Sequence, residues 1–525
     1  MSDTAGHQDW KPSHNPWLVA VTVTLAAFME VLDTTIVNVA LPHIAGSLGS
    51  SYDDATWALT SYLVANGIVL TISGWLSRFF GRKRYFLICI TMFTVSSFLC
   101  GLATSLPMLV VFRLMQGFFG GGLQPSQQSI ILDTFPPEKR GAAFGLTAIA
   151  TIVGPVLGPM LGGYLTDNFS WRWIFFVNVP FGILTVMAVT AFVEDPPWER
   201  MKREKVDVIG ISLITLGLGC LEVMCDRGED DDWFGSPFIV TMAVLGVIGV
   251  LGAILWLCYA KNPLVRLSVF RDRNFAVGTL LISMVGATLY ASAIVVPQFA
   301  QQVLDYTATT SGLLLAPGGV AVICLIPIVG ILMKFIQMRY LIAFGFFAMG
   351  MAMFQASNLY AAIDFRHLML YRISQTASLA FLFVPISTIA YSTLPRELNA
   401  DASALFSMAR NYVGSLAISL ATAAIIETRQ RHQTYVTDHM TAANPGLNSY
   451  IANAQKVAEA HGFPAAQAHK FALYQTFREF TSQVAMLAYN EVFDWIGVIA
   501  LFVVPLCFLL SPNGKKAAQA SGGGH

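Results

Sequence analysis

Long apolar stretches separated by short polar connections set the pattern of this chain. A stretch of about 20 apolar residues is enough for a helix to cross a hydrocarbon core about 30 Å thick. Such stretches run approximately 17–44, 55–79, 85–104, 107–132, 141–166 and 173–193, then 206–225 and 237–259. Six more lie near 275–303, 311–335, 340–358, 367–392, 400–427 and 486–511. These fourteen segments predict an all-α polytopic membrane protein. Residues 1–16 are polar, and the apolar run after them is too long for the hydrophobic part of a cleavable signal. That run is expected to remain as the first transmembrane helix.

The basic residues give this layout a direction. Alternate connections carry Arg78, Arg82, Lys83 and Arg84, then Lys139 and Arg140, then Arg200, Lys202, Arg203 and Lys205. Lys261, Arg266, Arg271 and Arg273 follow, and then Lys334 and Arg339, whereas the opposite short loops carry Arg172, Arg227 and Arg366. Basic loops stay in the cytoplasm, so both termini are expected there, which requires an even number of spans. The long connection 428–485 then falls on the outer face as a loop. Within it, Ser449–His461 and Pro464–Gln483 read as helical, either as a solvated cap or as a docking surface for an external partner.

A faint repeat suggests how the spans are grouped. Gly74-Trp75-Leu76-Ser77-Arg78 follows the second span and Gly330-Ile331-Leu332-Met333-Lys334 follows the tenth. Both place a glycine four residues before a basic side chain at the same helix end. The expected organisation is a tail at 1–16, a six-helix bundle at 17–194, linkers with two extra helices at 195–273, a second six-helix bundle at 274–512 and a Gly-rich cytoplasmic tail at 513–525.

Composition narrows the function classes. The chain has 525 residues, 55% of them hydrophobic and 12% charged, about half the charged share of a soluble protein. Its formal net charge is zero, which gives no electrostatic footprint for nucleic acid. Seven cysteines lie in or beside apolar segments without a C-x-x-C pair, as small apolar filler would. No G-x-x-x-x-G-K-[ST] string occurs, which argues against ATP-driven transport, and no H-E-x-x-H or G-x-S-x-G string suggests an enzyme. The histidines, such as His14, His43 and His367, lack ligand spacing. Neither a metal nor a cofactor is expected.

The chemistry lies in charges within the apolar segments. Glu30 and Asp33 sit in the first span, and Arg113 sits in the fourth. A charge at that depth costs from about 3 to over 10 kcal/mol, so such groups usually face a water-filled cavity and handle protons or cations. Glu30 and Asp33 lie about 60° apart around a helix. A carboxylate exposed both to burial and to a nearby cation can hold a proton in one conformation and release it in another. Arg113 is always charged and can be that cation. The alternative is a static ion pair that fixes helix register.

Other polar groups extend the candidate site. The fourth span continues Gln116-Gly117-Phe118-Phe119-Gly120-Gly121-Gly122 and leads to Gln124, Gln127 and Gln128. Asn38, Gln116, Gln124, Gln298 and Gln302 are the polar candidates for substrate contact, with Tyr290 among many aromatics suited to a promiscuous apolar pocket. Glu222, in the seventh span, either attracts cations or snorkels to the outer face. Arg372, near the start of the twelfth span, also reads as able to snorkel. In the fifth span, Gly154, Gly158 and Gly162 recur every four residues, with Gly163 beside them, and form a smooth ridge for a neighbouring helix. Pro155 and Pro159 promote bending in the same helix. A smooth, bent helix suits an element that slides during a conformational change.

The strings Leu32-Asp33-Thr34-Thr35-Ile36-Val37-Asn38-Val39-Ala40-Leu41-Pro42, Arg113-Leu114-Met115-Gln116-Gly117, Gly154-Pro155-Val156-Leu157-Gly158-Pro159-Met160-Leu161-Gly162-Gly163 and Trp171-Arg172-Trp173-Ile174-Phe175-Phe176-Val177-Asn178-Val179-Pro180-Phe181-Gly182 resemble the major facilitator superfamily. More narrowly, they resemble its fourteen-helix drug:proton antiporters. The likeness continues through Tyr306-Thr307-Ala308, Gly312, Pro317, Arg410, Gly414 and Ser415. Cys225-Asp226-Arg227-Gly228, Asp232-Trp233-Phe234 and the Gly-rich tail ending in His525 resemble the EmrB-type subgroup.

The resemblance implies two six-helix bundles plus two inserted helices, alternating access, and efflux of hydrophobic or amphipathic drugs driven by a proton gradient. It also implies a bacterial inner-membrane location, with a periplasmic adaptor of the membrane-fusion type and an outer-membrane channel as partners. One position departs from the family. The loop after the second span keeps Gly74, Gly81, Arg82 and Lys83, but Arg78 stands where the family has Asp, which puts a gating salt bridge through that Asp in doubt. A solute uptake symporter and a non-transporting sensor or channel remain as alternatives.

Overall fold

The structure is a computed structural model that describes residues 13–195, 206–260, 263–360, 363–441 and 443–512. The expected Gly-rich tail, most of the N-terminal tail, and Arg200, Lys202, Arg203, Lys205 and Lys261 lie outside the described residues. The helices are α1 Pro16–Leu48, α2 Tyr52–Phe80, α3 Arg82–Gly101, α4 Leu106–Gly120, α5 Leu123–Thr134, α6 Pro137–Asn168, α7 Trp173–Phe176 and α8 Asn178–Phe192. Then come α9 Val208–Arg227 and α10 Pro237–Tyr259. The remainder are α11 Arg273–Gln302, α12 Ala308–Phe335, α13 Met338–Ala356, α14 Phe365–Ala390, α15 Asn399–His439, α16 Pro445–Ala460 and α17 Ala465–Val503. Among the described residues there are 14 spans long and apolar enough to cross a membrane. Two of them are broken, α4 with α5 and α7 with α8.

Helices α1–α8 form one bundle, with α1 packed against α6, α5 and α8, and α11–α17 form a second. The bundles meet where α15 lies against α2 and α5 and where α12 and α14 lie against α6. The inserted helices α9 and α10 pack on each other, and α9 touches both bundles, through α2 and α15. One end of the molecule, the basic face, carries Arg78, Arg82, Arg140, Arg266 and Arg339. The other is the distal face.

Two glycine-rich stretches explain the closest approaches. A Cβ at Gly117 would run into the Tyr62 carbonyl, and one at Gly121 would run into the Asn66 carbonyl, so α4 can press on α2 only without side chains there. The break at Gly121-Gly122 then starts α5, whose residues are all buried, with its glutamines turned into the protein. On α6, a Cβ at Gly154 would stand 2.6 Å from Val31 Cγ1 and one at Gly162 would stand 2.7 Å from the Ile36 carbonyl oxygen. One at Gly158 would meet the Thr35 hydroxyl. The ridge therefore seats α6 directly on the part of α1 that carries the acidic pair.

The segment 428–485 differs from the loop expected on the outer face. α15 continues for 41 residues to His439, and α17 begins at Ala465 and runs 39 residues. At 1.5 Å per residue, α15 is about 60 Å long, twice the hydrocarbon thickness. Both helices therefore project beyond the distal face, joined by α16, which packs on α17. The two helical pieces read from the sequence exist, but the second is the start of the last span. These residues lack a continuous apolar run because only one side of each projecting helix is covered.

The ridge gives a test. Gly158→Val should force α1 off α6 and cost about 1–3 kcal/mol by overpacking. Gly163→Ala, whose Cβ would meet nothing nearer than Val39 Cγ1 at 3.9 Å, should stay within about 0.5 kcal/mol. Thermal unfolding of the purified protein in detergent measures both.

Candidate functional site

Asp33 and Arg113 are in contact at the centre of the first bundle. Both are fully buried, and Arg113 Nη1 lies 2.6 Å from Asp33 Oδ2. Asp33 Oδ1 accepts from Gln116 Nε2 and from Asn178 Nδ2, each at 2.8 Å. Arg113 Nη1 also donates to Gln116 Oε1 at 2.8 Å, and Nε donates to the Ala58 carbonyl at 3.1 Å. The guanidinium lies 4.1 Å from the centre of the Tyr62 ring. Gln116 is thus a brace for the ion pair. It is fully buried and is not part of the cavity wall described below, so its expected role in substrate contact is not supported. Its amide is consumed by Asp33 and Arg113, and of these three side chains Arg113 is the one that lines the cavity.

Glu30 has different surroundings. It accepts from Asn66 Nδ2 at 3.0 Å and from Gln124 Nε2. It lines a cavity of about 710 Å³ between the two bundles, a volume typical of small-molecule sites. Asn38, Gln124, Tyr290, Gln298 and Glu222 also line it, as do Pro155, Pro159 and Gly163. α6 therefore has two working faces, glycines against α1 and prolines towards the cavity. Gln302 is not in the wall. It accepts from Tyr489 Oη at 3.1 Å, and Gln301, one residue earlier, takes the place expected for it.

The inserted helix α9 forms part of the cavity wall. Glu222 is buried, not snorkelled, and accepts from Ser415 Oγ of α15 at 2.6 Å. One turn further, Asp226 accepts from Thr60 Oγ1 of α2, and Asp230 also lines the cavity. Arg227, on another side of α9, donates to Thr56 Oγ1 at 2.8 Å. Arg372 is likewise buried, at 2% exposure, with Nη1 on Gln375 Oε1 and 3.3 Å from Ser292 Oγ. It lies too far into the second bundle to snorkel.

The cavity runs from Glu30 and Gln124 to residues near the distal helix ends, including His43, Asp167 and Asp230. Towards the basic face the bundles are closed. Arg78 Nη1 lies 2.6 Å from Asp401 Oδ2 at the start of α15, and a Cβ at Gly74 would stand 3.0 Å from the Ala400 carbonyl oxygen. Asn399 donates to Asp133 at 2.9 Å, and Tyr391 donates to Gln128 at 3.1 Å. Arg82 pairs with the same Asp133, and Lys83 Nζ donates to the Thr190 carbonyl at 2.9 Å. Gly81, at φ +83°, makes the tight turn from α2 into α3. Arg78, standing where the family has Asp, thus makes a salt bridge of its own, with the cation on α2 and the carboxylate on α15.

Several residues of the site were not singled out from the sequence as site residues. Asn178 lay within the aromatic string entering the sixth span, and Arg410 lay within a family string. Asn66, Thr60, Asn411 and Asp401 had no local signal beyond being polar in apolar surroundings. Each acquires its place from a partner on another helix.

This bridge can be tested by reversing its charges. Arg78→Asp or Asp401→Arg alone should lower transport about tenfold, the size of a coupling near 1.4 kcal/mol. Combining them should recover part of that loss, since Arg266, 3.9 Å from Asp401, still opposes the new cation. Initial efflux rates at equal expression measure the cycle.

Known proteins share this architecture and sequence. The Major Facilitator Superfamily profile matches residues 23–418. The "Multidrug export protein EmrB" of Haemophilus influenzae is 37% identical over 95% of this chain and 96% of its own length. The Escherichia coli K12 protein of the same name is 36% identical, over 98% of this chain and 99% of its own. The "Fatty acid resistance protein FarB" of Neisseria gonorrhoeae is 32% identical over 98% and 100%. Among solved structures, a double Trp mutant of XylE superposes with a TM-score of 0.60 at 16% identity, covering 96% of this chain and 100% of that one, a likeness of fold alone.

Proposed function

The chain belongs to the major facilitator superfamily, and we propose that it exports hydrophobic or amphipathic drugs in exchange for protons. The observation that carries this reading is the cavity between the bundles, with Arg113 in its wall and Asp33, fully buried, paired to that guanidinium behind it. Full-length likeness to proteins named for multidrug export supports it.

By the positive-inside rule the basic face is cytoplasmic. The protein then sits in the bacterial inner membrane with both ends inside, and the cavity faces outward. In this state the drug leaves and a proton enters. Neutralising Asp33 removes its hold on Arg113, and the freed guanidinium can then move with its helix. As the bundles rock, the Arg78–Asp401 bridge opens and the α6 ridge lets α1 and α6 adjust. The proton leaves to the cytoplasm, and drug binding there resets the pair. The linkers and inserted helices of 195–273 join the bundles 17–194 and 274–512. The projection formed by α15, α16 and α17 is the contact for a membrane-fusion adaptor and, through it, an outer-membrane channel. It presents Val457, Tyr474 and Phe477, each more than half exposed.

Purified protein in liposomes under an imposed pH gradient tests the core reading. Wild type should accumulate a fluorescent lipophilic drug against its gradient with matching proton counterflow. Asp33→Asn, which keeps the shape and the amide partners, should lose coupled movement while still binding drug. Drug and proton moving in the same direction would identify an uptake symporter and overturn the proposal.

The acidic wall of α9 bears on preference among drugs. Glu222 sits within the protein where the effective dielectric is low, so its charge is felt by a bound cation. Glu222→Gln should weaken binding of a lipophilic cation such as tetraphenylphosphonium about five- to tenfold, near 1–1.4 kcal/mol. A neutral hydrophobic drug should be unaffected. Equilibrium binding to the purified variant measures both.

A further inference from the structure

We propose that Glu30 is a second proton site, separate from Asp33, and that Gln124 and Arg410 carry its charge state across the interface between the bundles. The proposal rests on the antiporter reading and concerns which groups do the coupling.

The two carboxylates of α1 are three residues apart and both buried, yet only Glu30, at 3% exposure, lines the cavity. Asp33 is fully buried and paired with Arg113, so a proton can neutralise it only by displacing that guanidinium. Glu30 forms part of the cavity wall, and its hydrogen bonds come from the neutral amides of Asn66 and Gln124. A proton from outer water can add to a Glu30 oxygen without breaking an ion pair. After the bundles rock, the same proton leaves to the inner water.

Gln124 makes that event visible to the other bundle. Its Nε2 donates to Glu30, while its Oε1 accepts from Arg410 Nη2 and, at 3.4 Å, from Asn411 Nδ2. Carboxylate, amide and guanidinium thus stand in series across the interface from α1 through α5 to α15. The series has one favourable polarity, with the amide nitrogen towards the anion and its oxygen towards the cation. Hydrogen bonds with an ionised partner are roughly twice as strong as neutral ones. When Glu30 takes a proton, the amide loses the charge that orients it, and the tie to Arg410 weakens. Arg410 is 1% exposed, and its other polar contact is Asn411 Oδ1 at 3.1 Å. Protonation at Glu30 therefore loosens the two bundles at the floor of the cavity.

The charged and titratable groups facing Glu30 fit this role. Asp33 lies on its own helix, Tyr62 on α2, Tyr290 on α11 and Arg410 on α15, while Arg113 on α4 faces Asp33 and Tyr62. Arg113 is committed to Asp33, which leaves Arg410, acting through Gln124, as the cation that answers to Glu30.

The experiment measures proton release when ethidium binds to detergent-purified protein, followed with a pH dye, and the proton-to-ethidium ratio in liposomes, found by balancing the drug gradient against an imposed pH gradient. Wild type and Asp33→Asn should both release a proton on binding, and Glu30→Gln should release none even at ethidium concentrations that saturate it. In liposomes the ratio should fall by about one proton per drug in Glu30→Gln. Gln124→Leu should still release the proton but accumulate ethidium at least about tenfold less, because the charge no longer reaches Arg410. Wild-type release from Glu30→Gln, an unchanged ratio, or full accumulation by Gln124→Leu would overturn the proposal and leave antiport intact. Failure of wild type to move ethidium against its gradient would overturn the antiporter reading itself, and this proposal with it.

Discussion

An ionised carboxylate in the middle of a membrane-spanning helix needs a partner for each of its oxygens, and Asp33 finds them on two other stretches of chain. Arg113 and Gln116 come from α4, and Asn178 comes from the break between α7 and α8. Arg113 in turn reaches the Ala58 carbonyl of α2. One buried charge thus ties together α1, α2, α4 and the last span of the first bundle. Removing one member of such a pair costs far more than the pair itself gains, because an uncompensated charge remains. While Asp33 stays ionised, the helices that meet at this charge are therefore held together, and the first movements fall to the interface between bundles.

The interface is built with cheaper contacts. Arg78 keeps 12% exposure in its ion pair with Asp401, which is itself 1% exposed, whereas the pair at Arg113 and Asp33 has no exposure at all. With the guanidinium still partly hydrated, water can replace part of what Arg78 loses, so this bridge opens at lower cost than one with no exposure at either end. The polarity of the Arg78 bridge does not change that argument, since what matters is opposite charge on α2 and α15 where the bundles meet. The α6 ridge works on the same principle. Glycine against α1 creates contact without interlocking side chains, so the helix can shift without first unpacking.

The parts of this structure that could be read from the sequence are those imposed by the bilayer. Fourteen apolar segments appear because a spanning helix must be apolar for its full length, and Asp33 and Arg113 stand out because the same rule makes them costly. The projecting ends of α15 and α17 were hidden for the complementary reason. Once outside the bilayer they need only one covered side, and residues 428–485 look like a loop. Gln116 and Gln302 were misplaced for want of phase. Both sit on helices whose cavity-facing side depends on neighbours that the local string does not name. Asp401 and Ser415 are determined from far away in the chain, by Arg78 and Glu222.

The repeat itself is informative where it breaks. Arg113-x-x-Gln116 in the fourth helix of the first bundle has a counterpart, Arg372-x-x-Gln375, in the fourth helix of the second, and both arginines hold the glutamine three residues on. Facing Arg113 on the first helix of its bundle is Asp33; facing Arg372 is Ser292. A serine can complete a hydrogen bond but cannot neutralise a guanidinium or carry a proton between two states. The second bundle keeps the frame of the ion site without its acid. Protonation chemistry at this level of the fold therefore belongs to the first bundle, and any effect on the second must cross the interface. Two crossings are built of polar side chains at the cavity, the amide of Gln124 between Glu30 and Arg410, and helix α9 between Thr60 and Ser415. The first lies at the cavity floor and joins a carboxylate to a cation. The second lies along its wall and presents carboxylates to the space a drug would occupy. On the proposed reading, proton and drug act on the same seam between the bundles, at Glu30 and along α9 in one shared cavity, which is the condition for each to influence the other.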